Sequence, residues 1–99
     1  MSEKVHLHID GELINSERDF HNFVAKLLDF GPYYGNNLDA LWDRLSAGIG
    51  KNTVLHWKNS GLSRTRLGEK FDTIVQLFEE ARNEDIQLGL KDPLMLILE

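Results

Sequence analysis

The spacing of apolar residues changes period several times along this chain, and each change marks a new element. From Val5 to Ile9 it alternates, with Val5, Leu7 and Ile9 against His6 and His8, the period of a half-buried strand. Gly11 then supplies a turn. Beyond Ser16, the residues Phe20, Phe23, Val24, Leu27 and Leu28 recur at helical spacing. Ser16 is placed to cap that helix, Asp19 falls in its first turn, and its end is expected near Gly31. Turn formers fill Gly31 to Asn36, and Asn37 can cap a second helix reaching to about Gly48, with Leu38, Leu41 and Leu45 as its core stripe. Thr53 to Trp57, rich in β-branched and aromatic residues, reads as a second strand. Asn59 to Gly68 has only Leu62 and Leu67 as anchors and fits either a short helix or an irregular connection. Phe71, Ile74, Val75, Phe78 and Ala81 then share one stripe of a long amphipathic helix from Glu69 to Glu84. Ile86 to Pro93 is expected to be a loop with some strand character. The continuous apolar run Leu94 to Leu98 suits a strand covered by helices on both faces.

Strands separated by helices require crossover connections, so the expected fold is α/β: a three-stranded parallel sheet packed with about four helices. A chain of 99 residues supports one core, and residues 1–99 are read as a single domain. Hydrophobic residues at 41% exclude intrinsic disorder. The absence of cysteine removes disulfides and thiolate metal sites. The N-terminal stretch lacks the long apolar run of a secretory signal or membrane span, so a cytoplasmic location is expected. Sixteen acidic against eleven basic side chains give a formal charge of -5, which repels nucleic acid and anionic lipid and favours a basic protein partner.

The acidic residues are not scattered evenly. Asp39 and Asp43 lie four apart on the second helix, off its core stripe, and Glu80 and Glu84 repeat that spacing on the long helix with Leu77 on their face. Asp39 gains from the positive end of the helix dipole; Asp43 lies beyond the first turn and does not. If the two helices pack together, four carboxylates border an apolar and aromatic floor. Tyr33 and Tyr34, between Gly31 and Gly35, belong to the same region, one expected to point inward and the other outward. Trp42 falls at the border of core and acidic face. Among the four histidines, His6 and His8 share a strand face without a third ligand nearby, and His21 and His56 are scattered, so neither metal nor cofactor is expected. No phosphate loop or nucleophile elbow accompanies the paired carboxylates, which points to binding and away from catalysis.

These residues also resemble a known family. The run Pro32-Tyr33-Tyr34-Gly35-Asn36-Asn37-Leu38-Asp39-Ala40-Leu41-Trp42-Asp43 is similar to barstar, the bacterial intracellular inhibitor of the ribonuclease barnase. Gly11-Glu12 upstream and Val75 to Arg82 downstream extend the resemblance over nearly the whole chain. It implies a monomeric inhibitor that occludes the active site of a basic ribonuclease; the other reading is a module of this fold that binds a different basic protein. Carried over by position, Tyr33 would be an aromatic anchor, Asn37, Leu38 and Asp39 would begin the binding helix, and Asp43 would enter the partner's catalytic pocket in place of a substrate phosphate. Trp42, Ser46 and Ala47 would line the contact, with Leu77, Glu80 and Glu84 contributing from the long helix. Three features depart from the family pattern: Gly48 replaces a tryptophan, Glu79 replaces a basic residue, and Gln87 to Pro93 looks like an insertion.

Overall fold

The computed structural model describes residues 3–99. Its elements run β1 (Val5–Asp10), α1 (Glu17–Leu27), α2 (Leu38–Ser46), β2 (Thr53–Lys58), α3 (Ser60–Leu67), α4 (Glu69–Gln87) and β3 (Met95–Leu98), with one 3-10 turn at Gly11–Leu13. The strands are all parallel in the order β1-β2-β3, pairing Ile9 with Trp57 and Trp57 with Leu98. Both crossovers therefore step across the sheet in the same direction, and right-handed connections carry the helices to one face. Burial follows: Ile9, Leu55 and Trp57 are fully buried on the helix side, while His6 and His8 on the other side are exposed.

This topology corrects one expectation. The apolar run ending at Leu98 is not a strand covered on both faces; β3 lies at an edge, and Ile97 and Leu98 are 38% and 39% exposed. A short apolar run looks the same whether its second face meets a helix or solvent, so periodicity alone could not separate the two.

α1, α2 and α4 stop by a shared device. The residue after the C-cap turns left-handed, and the next N–H reaches back to close the final turn. In α1 this residue is Asp29 (φ 56°), and Phe30 N–H bonds the Ala25 carbonyl at 2.9 Å, so the helix ends before Gly31. In α4 it is Gly89, with Leu90 N–H on the Asp85 carbonyl at 2.9 Å. The stretch from Ile86 to Pro93 thus begins as helix and carries no strand, correcting the expectation of strand character there. Between β2 and α4 the short helix α3 forms, one of the two outcomes the sequence left open.

Trp57 sits at the centre of the core, stacked on Phe20 with ring centroids 5.2 Å apart and touching Phe71. Its indole N–H donates to Ser63 Oγ at 2.9 Å, and Ser63 donates in turn to the Gly11 carbonyl at 3.3 Å. Gly11 approaches the end of β2 so closely that a Cβ there would lie 2.4 Å from the carbonyl oxygens of Lys58 and Asn59. Gly11→Ala is therefore expected to destabilise the protein by about 1–3 kcal/mol, the usual cost of overpacking, read as a lower urea midpoint with unchanged slope.

On the open face, sheet pairing gathers histidines that looked scattered in the sequence. His56 faces His8 across the β1–β2 ladder and stacks on both His8 and His6. The Glu99 carboxylate bonds Lys58 Nζ at 2.5 Å and His56 Nδ1 at 2.6 Å. The hydrogen bonds from Lys58 and then His56 hold its carboxyl down at about 2. A carboxylate depressed in the folded state adds stability above its unfolded pKa of 4.5, and loses it as pH falls toward 2. Glu99→Gln is expected to flatten that part of the acid-denaturation profile. A profile identical to wild type would remove the stabilising role of this pair of contacts.

Candidate functional site

α2 begins because Asn37, in extended conformation, accepts the Ala40 N–H on its side-chain oxygen at 2.8 Å, while Asp39 occupies the favourable first turn. Leu41 and Leu45 are buried, and Leu38 and Trp42 are half-buried against the same core. Anchoring that stripe turns Asp39, Asp43, Ser46 and Ala47 to the surface, where all four are exposed. α2 packs directly on α4. There Ile74, Phe78 and Ala81 face the core, Leu77 is half-buried, and Glu80 and Glu84 are exposed.

Charge on this face is left unneutralised. The ion pairs among the described residues join Lys4 to Asp92, Lys70 to Glu17 and Lys58 to Glu99, and His21 and His56 lie against the Glu17 and Glu99 carboxylates. None of them involves Asp39, Asp43, Glu80 or Glu84; Glu80 accepts only a hydrogen bond from Gln76 Nε2 at 2.9 Å. Four exposed carboxylates therefore share two packed helices with no basic side chain of the described residues in ion-pair range, which gives the face a negative potential available to a cationic surface.

The loop before α2 separates the two tyrosines. Tyr33 is 91% exposed, an isolated aromatic ring projecting into solvent. Tyr34 turns inward, its hydroxyl 2.7 Å from Nδ1 of the fully buried His21, whose Nε2 lies 3.0 Å from the Glu17 carboxylate. A carboxylate only accepts, so Nε2 carries the proton and, in the neutral ring, Nδ1 accepts from the tyrosine O–H. Burial pushes the Tyr34 hydroxyl above the ordinary phenol range, with the Arg44 charge acting in the opposite direction. Arg44 holds the loop from α2, donating from Nε to the Phe30 carbonyl at 3.1 Å and placing its guanidinium 5.9 Å from the centre of the Tyr34 ring. Asn36, left-handed at φ 51°, donates to Asn22 Oδ1 at 3.0 Å. The loop is thereby tied to α1 and α2 at several points, and ordering it in advance lowers the entropic cost of binding.

Sequence reasoning missed His21, Asn22 and Arg44 as supports of this loop. The Glu17–His21 spacing of four was visible, but the contacts from these residues to Tyr34, Asn36 and Phe30 span 13 or 14 positions and leave no local signature. α2 ends close to the expected Gly48, with Ser46 its last residue and Ala47 its C-cap. Gly48 is left-handed at φ 89°, its N–H bonds the Leu45 carbonyl, and Ile49 N–H bonds that of Arg44. A Cβ at Gly48 would lie 2.9 Å from Lys51 Cε in a backbone conformation that L residues rarely adopt. Gly48 is thus the residue that terminates the helix.

No helix of the described residues is long and apolar enough to cross a membrane. The sequence pattern of the family described as "Barstar (barnase inhibitor)" matches residues 5–93. A protein of Bacillus subtilis (strain 168), YrdF, provisionally named a ribonuclease inhibitor, is 37% identical over 91 residues, covering 92% of this chain and 94% of its own length.

Proposed function

This chain belongs to the barstar family, a family of inhibitors and not of enzymes, and on that premise we propose that it inhibits a basic ribonuclease by laying the α2–α4 face over the nuclease active site. The observation that carries this reading is the set of four exposed carboxylates on two packed helices, none of them in an ion pair among the described residues. A ribonuclease holds substrate phosphates with arginine, lysine and histidine, and carboxylates placed at phosphate positions compete for the same donors. Asp43 is the residue assigned to the catalytic pocket. Tyr33, Asn37, Leu38, Asp39, Trp42, Ser46 and Ala47 form the surrounding contact, and Leu77, Glu80 and Glu84 extend it onto α4.

Gly48 bears on which nuclease is bound. The contact surface contributed by α2 stops at Ala47, and the Lys51 side chain lies against Gly48, where the resemblance implies an aromatic ring in other members. The partner is expected to differ at that rim from barnase itself while keeping a phosphate-binding centre.

The experiment is a titration of purified chain against a panel of small basic ribonucleases, barnase included, with RNA cleavage as readout. Stoichiometric one-to-one suppression of at least one enzyme is expected, with an association rate that falls as salt rises because exposed charges steer the encounter. Capture of a basic protein without nuclease activity, together with no suppression across the panel, would replace this reading with that of a different binding module.

A further inference from the structure

The open face of the sheet carries a second group of chemically active side chains, on elements distinct from the acidic face. In the parallel register His8 lies directly opposite His56, and His6 precedes His8 by two residues on the same side of β1. The ring centroids of His8 and His6 lie 4.8 and 5.1 Å from that of His56, with the planes nearly parallel. His6 and His8 are both exposed.

The protons on these rings can be assigned from their partners. His56 Nδ1 lies 2.6 Å from a Glu99 carboxylate oxygen, which only accepts, so Nδ1 carries the hydrogen. In the neutral ring Nε2 of His56 then holds a lone pair, and it faces His6 Nδ1 at 2.8 Å. Two imidazole nitrogens this close cannot both present lone pairs unless a cation lies between them. In the hydrogen-bonded state His6 Nδ1 carries a hydrogen and donates it to His56 Nε2.

We propose that this position binds a divalent transition-metal ion of the imidazole-preferring class, Zn²⁺, Ni²⁺ or Cu²⁺, held by His56 Nε2 and by His6 Nδ1, whose hydrogen moves to Nε2 as that ring changes tautomer, with His8 as third ligand. The Glu99–His56 contact is the arrangement by which a carboxylate fixes the tautomer and raises the basicity of a metal-bound imidazole. Lys58 steadies that carboxylate through its other oxygen, away from the ring. Zinc–nitrogen bonds of about 2.0–2.1 Å at a tetrahedral angle require nitrogens roughly 3.3 Å apart. The His6–His56 pair must therefore open by roughly half an ångström, which the exposed His6 ring can supply by rotation about its side-chain bonds. His8 has to turn from stacking on His56 to pointing at the ion. Among the described residues no group of three or more histidine, cysteine, aspartate or glutamate side chains is already arranged to hold a metal, so the site is one that closes on its ion.

Calorimetric titration of metal-free protein with ZnCl₂ or NiCl₂ is the test, followed by imidazole NMR resonances. One saturable ion per chain is expected, with the signals of His6, His8 and His56 shifting and those of buried His21 unmoved. His6→Ala and His56→Ala should each weaken binding on the order of tenfold or more, and Glu99→Ala about tenfold, the usual effect of losing a carboxylate behind a ligand. His6 is exposed and outside the core, so its variant reports even where His56→Ala disturbs β2. No saturation up to millimolar ion, unchanged affinity in His6→Ala, or shifts confined to residues 1–4 would each overturn the proposal.

Discussion

Asp43→Ala is expected to weaken binding of the cognate ribonuclease by about 2–5 kcal/mol, roughly 30- to 4,000-fold in Kd, and to leave the free chain as stable as before. The energy range is the general one for truncating one partner of a buried charge pair, and it rests partly on the barnase–barstar complex itself. Two observations separate this carboxylate from its neighbours. It lies past the first turn of α2, so the helix dipole contributes little to it, whereas Asp39 sits within that turn. It is also exposed and in no ion pair among the described residues, so its removal breaks no charge contact within the fold. Stability changes at such surface positions usually stay within about 0.5 kcal/mol. The loss should consequently appear in Kd from inhibition titrations and not in the melting curve. Equal losses from Asp39→Ala, Glu80→Ala and Glu84→Ala would mean that charge acts diffusely and that Asp43 has no special place.

The largest stability effect is expected at Trp57. Replacing it by alanine removes a fully buried indole, its stacking on Phe20, its contact with Phe71 and the hydrogen bond to Ser63. Large-to-small changes of this kind cost about 3–5 kcal/mol. For a chain of this size the whole stability is on the order of 5–15 kcal/mol, so the variant should lose a large fraction of it and melt on the order of 15–30 °C lower. Equilibrium urea unfolding gives the number directly. The change also reaches the binding surface, because Phe20 precedes His21 on α1 and His21 holds Tyr34 in the loop that presents Tyr33. A loss below about 1.5 kcal/mol would show that the core repacks around the gap and that Trp57 is not its centre.

How much of this was legible in the sequence depended on how local the cause is. The alternation from Val5 to Ile9, the Ser16 and Asn37 caps and the stripe on α4 are all determined within a few residues of chain, and each appears where its pattern placed it. Failures came where an outcome depends on another element. The exposure of β3 is set by strand order, which an apolar run does not encode. α2 was readable because its charge and capping are local, and it packs on α4 as the four-carboxylate surface requires. The supports of the Tyr33 loop were not readable, since His21, Asn22 and Arg44 meet their partners only after α1 and α2 have docked. The same holds for the histidines of the sheet, which the β1–β2 register brings together across about 50 positions.

The central claim is that the α2–α4 face, with the Tyr33 loop, is the surface that covers the nuclease. Amide hydrogen exchange of the chain, free and bound to a ribonuclease it inhibits, tests this most directly. Protection gained on binding should fall on the segment from Tyr33 to Gly48 and on α4 around Leu77 to Glu84, with β1 and β3 unchanged. Protection concentrated on the open face of the sheet, at His6, His8 and β3, with α2 unaffected, would contradict the account.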